Sequence, residues 1–373
     1  MTIEAHKTDS PIILGAVVPK EGDAAVVSPD ASQENSEMHV RKTTVDRHPL
    51  SKSLTTIIKR TPIPIAGLAL GLAALGNLLQ PFGEEFHVML GATSAFLILL
   101  LTIKLLMFPK MIREDFGNSV LASVSAAYLM TIMQLSGYVA PMWYEGAFAL
   151  WGTAIIAHLV LMTWFTYRFL AGGRFKLEHV FPSYFLCFAG NVVASVVSPI
   201  FGMQMVGSII LWWGFAAMAI LFVIVTYRYA KVRTPEPIKP MFCIYGAPAS
   251  LLLVAYLSVT ADPNMTFVVA LAVVAQFLYA VVLVKLPSLL RLKFYPSYAA
   301  MTFPFVISAT ALGKSLAVLG VDVASPLFWL AGAEIVLAIA MVLYVFARYM
   351  GWLFGGVVRS AVGNLEGEPA EAE

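Results

Sequence analysis

Charge is what this chain has least of. Only 12% of its 373 residues are Asp, Glu, Lys or Arg, against 59% apolar residues, whereas a soluble domain carries about 25% charged residues to keep its surface wetted. With a mean hydropathy of +0.81, an ordinary soluble enzyme or binding module is excluded and a polytopic membrane protein is expected. The net charge of +2 gives no reason to expect nucleic acid as a partner. Cysteine is nearly absent: Cys187 and Cys243 both lie inside apolar stretches, which argues against a disulfide framework. The six histidines include no closely spaced pair and join no cysteine cluster, so no metal site and no cofactor is expected. The apolar stretch 11–18 is too short for a secretory core and lacks a basic lead and a cleavage pattern.

Long apolar runs are what the chain does have. Residues 1–60 are polar and aperiodic, cannot bury enough apolar surface to fold alone, and read as a disordered cytoplasmic tail. Its last third carries Arg41, Lys42, Arg47, Lys52, Lys59 and Arg60, a basic run suited to an anionic inner leaflet. Ten apolar spans follow, near 61–80, 86–107, 117–139, 143–167, 179–199, 206–229, 240–260, 265–286, 295–316 and 326–350, each of roughly the 20 residues a bilayer-crossing helix needs. They form one membrane domain over 61–354, followed by a short acidic tail over 355–373. The connections are short, so consecutive spans are expected to be antiparallel neighbours.

Of the 24 basic residues, all but Lys314 belong to or flank one side, in the N-terminal segment and alternate connections, which predicts both termini in the cytoplasm of a cell-membrane protein. The odd-numbered spans are rich in small and hydroxyl residues, such as Gly67, Gly71 and Gly76 in the first and Gly190, Asn191, Ser195 and Ser198 in the fifth. The even spans are bulkier and carry Trp143, Trp151, Trp212, Trp213 and Trp329 toward their outer ends, where an aromatic belt sits. Phe181-Pro-Ser-Tyr184 opens the fifth span and Tyr295-Pro-Ser-Tyr298 the ninth. This repeat suggests an all-α integral membrane fold of ten helices, as five hairpins in a quasi-fivefold arrangement around a central pore. Small residues that serve only close helix packing are the alternative.

The ninth span is the centre of that arrangement. Ala299, Phe303, Thr310 and Lys314 fall on one helical stripe. Pro304 has no N–H for the carbonyl of Ala300, so a bend is expected where the Phe303 ring projects. A ring at a kink can plug a narrow pore; ordinary interhelical packing is the other reading. Pro64, Pro182 and Pro248 are expected to kink the first, fifth and seventh spans, and the third has no proline. Hydroxyl and amide donors favour anions where carboxylates are missing, which makes Ser183, Asn191, Ser195, Ser250, Ser308 and Thr310 candidate pore-lining residues beside Ala299. Each can instead bond back to its own helix. Lys314 either draws anions into an outer vestibule or snorkels and pairs with Glu334. A proton-coupled carrier is the competing mechanism, with His158, Glu334 and Lys314 as its mid-span titratable groups. A membrane enzyme is disfavoured, because Glu84, Glu85 and His87 form the only compact acidic and histidine group and read as a solvated turn without partners.

Thr61-Pro-Ile-Pro-Ile-Ala-Gly-Leu-Ala-Leu-Gly-Leu-Ala-Ala-Leu-Gly76 resembles the first helix of the tellurite-resistance/dicarboxylate transporter family, the TehA-like proteins related to plant slow-type anion channels. Thr302-Phe-Pro304 resembles its ninth-helix motif, and the ten-span plan covers about 61–350. The resemblance implies a homotrimer with one pore per protomer, an inner ring of odd helices, an outer ring of even ones, and small anions as substrates. It also implies that Phe303 occludes the pore. Relatives include C4-dicarboxylate uptake and sulfite or tellurite export systems. The third span lacks the expected proline, and the fifth reads Pro-Ser-Tyr where the family often has Pro-x-Trp.

Overall fold

The computed structural model describes residues 49–366, and side chains over 54–355. The expectation of a disordered tail over 1–48 and the last residues of the C-terminal tail, 367–373, lie outside these. The chain divides into two units, Met1–Thr56 and Ile57–Glu373, and the second holds the membrane domain. All regular structure among the described residues is helical.

Ten spans cross the domain if a bent pair is taken as one. They are Ile65–Phe82, Glu84–Met107, Ser119–Val139, Tyr144–Leu170, the pair Ser183–Ala189 and Val192–Phe201, then Gln204–Lys231, Glu236–Val259, Met265–Leu290, Pro296–Val318 and Pro326–Gly355. The protein is therefore a multi-pass membrane protein. Two stretches assigned to tails are helical: Pro49–Arg60 forms a helix, and the last span runs on as part of Pro326–Glu366. Lys59 and Arg60 end the first of these helices, where cations complement the carbonyl end of the helix dipole.

The small residues of the odd spans put them inside. In the most apolar 18-residue stretch of each unbroken odd span, 61% to 78% of the residues are buried, against 22% to 39% in the even ones. Ile65, Ala66, Leu68, Ala69 and Ala73 of the first span are inaccessible to solvent. Each odd span packs against the next, and the ninth closes back on the first. The second span leans on the first, the fourth on the third and the tenth on the ninth; the sixth lies against the fifth and seventh, the eighth against the seventh and ninth. Slim helices bring their axes close, and bulky ones cover the outside.

Four of the five odd spans are interrupted, but not as proline alone dictates; the first runs unbroken over Ile65–Leu79 before a short 3-10 turn at its far end. Pro64 and Pro182 precede their helices as N-caps, and Pro248 and Pro304 occupy the first turn of a new α-helix. A missing N–H costs nothing there, so these prolines restart helices rather than kink them in mid-course. The seventh span begins as the 3-10 helix Glu236–Gly246 and the ninth as Pro296–Met301. The fifth bends by 53° between its two halves, past Ala189 and well beyond Pro182. The third breaks at Ser125 without a proline. There the Ser123 and Ser125 hydroxyls donate to the carbonyls of Val120 (3.0 Å) and Ala122 (2.7 Å), competing with the helix ladder.

Candidate conduction path

The odd spans surround a cavity of about 50 Å³. All five odd spans contribute to its wall, and no even span does. The first supplies Pro64, Gly67 and Leu70, and the third Val124, Ala127 and Met130. Phe185, Leu186, Ala189 and Gly190 come from the fifth, and Ile244, Ala247, Pro248 and Leu251 are among those from the seventh. From the ninth come Ser297, Ala299, Ala300, Phe303 and Pro304. Ser297 is the one polar residue in this wall, so the path is narrow and apolar.

Phe303 is held by the turn that precedes it. The 3-10 segment ends at Met301, Thr302 has φ −112° and ψ −80°, and the α-helix starts at Phe303. The Thr302 hydroxyl lies 2.7 Å from the carbonyl of Ala299 and 3.0 Å from that of Gly67, which ties the break to the first span. Phe303 itself is 5% exposed. On the far side of Pro304, the Phe305 ring meets Tyr279 of the eighth span edge-on, with ring centroids 5.7 Å apart.

The polar candidates lie off this wall. Ser123 donates to Ser183 across the third and fifth spans (2.7 Å), Ser195 donates to the carbonyl of Gly207 (2.7 Å), and Thr310 to that of Val306 (2.8 Å). Ser250 and Ser308 share a hydrogen bond of 3.1 Å between the seventh and ninth spans. Asn191 is buried with its amide oxygen unpartnered. Pro182 is buried at the head of the fifth span but does not line the cavity. The residues that sequence reasoning passed over are the apolar wall members, Met130, Phe185 and Leu251. Their only signal is membership of an odd span, because apolar residues carry no chemistry of their own.

Lys314 is exposed, and the Lys314–Glu334 ion pair is not formed. Glu334 is buried at 4% exposure with neither carboxylate oxygen hydrogen-bonded. The ninth-span lysine is exposed while the tenth-span glutamate is buried, so sequence proximity of the two hairpin arms does not bring the charges together. His158 is inaccessible to solvent, with Nε2 3.0 Å from the carbonyl of Cys187, so it bridges the fourth and fifth spans. The Glu84–His87 group does have partners. His87 lies 2.8 Å from Glu84 Oε1 and 3.1 Å from Asn77 Oδ1, and stacks on Tyr138 at 3.9 Å.

No curated protein matches the chain. A family model described as SLAC1, voltage-dependent anion channel, matches residues 61–350. That range takes in the whole of the odd-span cavity and every span up to the middle of the last helix. Together with the first- and ninth-helix motifs, it establishes that this chain belongs to the SLAC1 family of voltage-dependent anion channels.

Proposed function

We propose that this protein conducts small anions across the cell membrane through the cavity between its odd spans, and that the Phe303 ring closes that path. The observation that carries the reading is the wall itself: residues from all five odd spans and from no even one, with the Phe303 ring beside the break in the ninth. The wall has no carboxylate, so an anion meets no fixed negative charge, and a narrow apolar passage stays dewetted until a side chain moves. The closed circuit of odd-span packing supports a quasi-fivefold arrangement of five hairpins. The basic residues beside alternate connections support cytoplasmic termini. A homotrimer with one path per protomer follows from the family resemblance. Chloride, nitrate, sulfite, tellurite and C4-dicarboxylates all satisfy the chemistry of such a path.

Planar-bilayer recording of the purified protein, parent beside Phe303→Ala and across several of these anions, tests the proposal. The expected result is a larger anion current in the variant. A trimeric variant that conducts no more than the parent removes Phe303 as the gate. Uphill anion accumulation driven by a pH gradient in proteoliposomes replaces the channel with a coupled carrier.

A further inference from the structure

Glu334 stands on the buried stripe of the tenth span, between Ala331 and Ala338, which are 6% and 0% exposed. It is eight residues from the outer start of that span at Pro326, about 12 Å along a helix rising 1.5 Å per residue, and therefore well inside a hydrocarbon core about 30 Å thick. Neither of its oxygens has a hydrogen-bond partner. An ionisable side chain at such depth, turned to the bundle interior, is costly to keep unless it serves an ion or proton.

Its surroundings are specific. From the eighth span, the Gln276 side chain approaches the carboxylate as a hydrogen-bonding group without closing a well-formed bond, and Tyr279 interacts with it through charge. The Tyr279 hydroxyl is itself buried and without a hydrogen-bond partner. The first span has no titratable residue. The ninth has Tyr298, whose hydroxyl donates toward the carbonyls of Leu289 and Leu292 at the opposite end of the membrane, and Lys314, which is exposed. Lys285 of the eighth span and Tyr344, Arg348 and Tyr349 of the tenth lie further inward along the chain. No compact group of three His, Cys, Asp or Glu exists among the described residues, so a divalent cation has no ligand set here. A proton needs only the carboxylate.

We propose that Glu334, with Tyr279 and Gln276, forms a proton-binding site of the membrane domain, and that its occupancy is read by the ninth span at Phe303. The two forms of the carboxyl demand different neighbours. As an acid it donates its O–H to the Tyr279 oxygen or the Gln276 carbonyl; as an anion it accepts from the Tyr279 hydroxyl or the Gln276 amide. Each change of protonation therefore reorients Tyr279. The Tyr279 ring packs edge-on against Phe305, two residues beyond Phe303 and across Pro304, so the reorientation reaches the turn that holds the gate.

The transport arm of the test rests on the anion-path reading; the spectroscopic arm does not. Infrared difference spectra of the purified full chain are recorded between about pH 5 and about pH 8 and read in the carboxyl C=O region. The parent is expected to show a protonated-carboxyl C=O band that Glu334→Gln lacks and that Tyr279→Phe shifts in frequency. If Glu334→Gln fails to fold, the Tyr279→Phe shift decides. A band absent from the parent, or untouched by both variants, overturns the site. In proteoliposomes, parent anion flux is expected to change by about threefold or more over that pH range. Glu334→Gln should hold the parent's acidic-pH flux throughout. A variant that keeps the parent's pH response overturns the coupling to Phe303. Absence of anion flux in every protein, with the infrared band present, removes the anion path and the coupling while leaving the proton site standing.

Discussion

Thr302 fills the notch left by Gly71. A Cβ added to the glycine would lie 2.5 Å from both the Cβ and the Oγ1 of the threonine, and 3.0 Å from the backbone nitrogen of Phe303. The first span thus sets the position of the ninth at the residue where the latter restarts as a helix. A glycine in a helix interior costs about 1 kcal/mol relative to alanine, and here that cost is the condition for close approach.

Gly71→Ala therefore sets two effects against each other. The gain in helix propensity is about 1 kcal/mol, while forcing a methyl into a well-packed contact costs about 1–3 kcal/mol. The contact is with a Cβ fixed to the backbone and cannot relax cheaply, so a net loss is expected, read as a lower apparent melting temperature of the solubilised protein. Gly152 of the fourth span has no atom near the same added Cβ, so Gly152→Ala should hold or raise that temperature. Equal behaviour of the two variants would show that the first and ninth spans are free to separate.

Ser250 and Ser308 offer a cycle of variants. Both are inaccessible to solvent and bond to each other, and Ser250 also reaches toward the carbonyl of Gly246 at 3.5 Å. Removing the Ser250 hydroxyl orphans that of Ser308 at a cost of about 1–3 kcal/mol, whereas Ser308→Ala leaves Ser250 its contact with Gly246 and should cost less. Removing both should cost less than the sum of the singles. Ser250→Ala, Ser308→Ala and the double variant are expected to alter thermal stability while leaving anion selectivity unchanged. A changed selectivity at unchanged stability would return these hydroxyls to the path.

Those two serines show why the fold was easier to read than the site. Burial leaves its mark on whole helices, so the small odd spans and bulky even spans are visible in composition, and basic residues mark alternate connections. Pore lining and helix-to-helix bonding draw on the same serines and threonines, so composition does not separate Ser308 against Ser250 from Ser308 against water. The break of the third span at Ser125 is hidden for a related reason: a serine that bonds back to its own helix leaves no proline behind. His87 finds Asn77 and Tyr138 only through tertiary packing of the first three spans, which no local spacing reveals.

Asp115, in the helix Pro109–Asp115 between the second and third spans, is half-buried. Burial raises its carboxyl above the ordinary range, with the Lys104 charge pulling it back and Glu114 adding to the rise. Because the folded value exceeds the unfolded one, its contribution to stability is complete below the unfolded value of about 3.9 and is lost as pH rises through the folded value. Asp115→Asn, which mimics the protonated form, should match the parent near pH 4 and melt higher at about pH 8. A variant that melts lower at the alkaline end would mean that Lys104 depends on this carboxylate as its counter-ion.

The Phe303 series discriminates plugging from packing. If the ring closes the cavity, current depends on the size of the side chain left in the wall, and Phe303→Leu should fall between the parent and Phe303→Ala. Phe303→Tyr keeps the ring and adds a hydroxyl to an apolar wall whose one other polar residue is Ser297; it should stay closed in the parent's manner while losing stability by about 1–3 kcal/mol if that hydroxyl finds no partner. If the ring only packs, truncation to alanine costs about 3–5 kcal/mol as a cavity penalty and current does not follow side-chain size. Recording current and melting temperature on the same preparations separates the two, because a plug trades stability for conductance in graded steps, and a core residue loses stability alone.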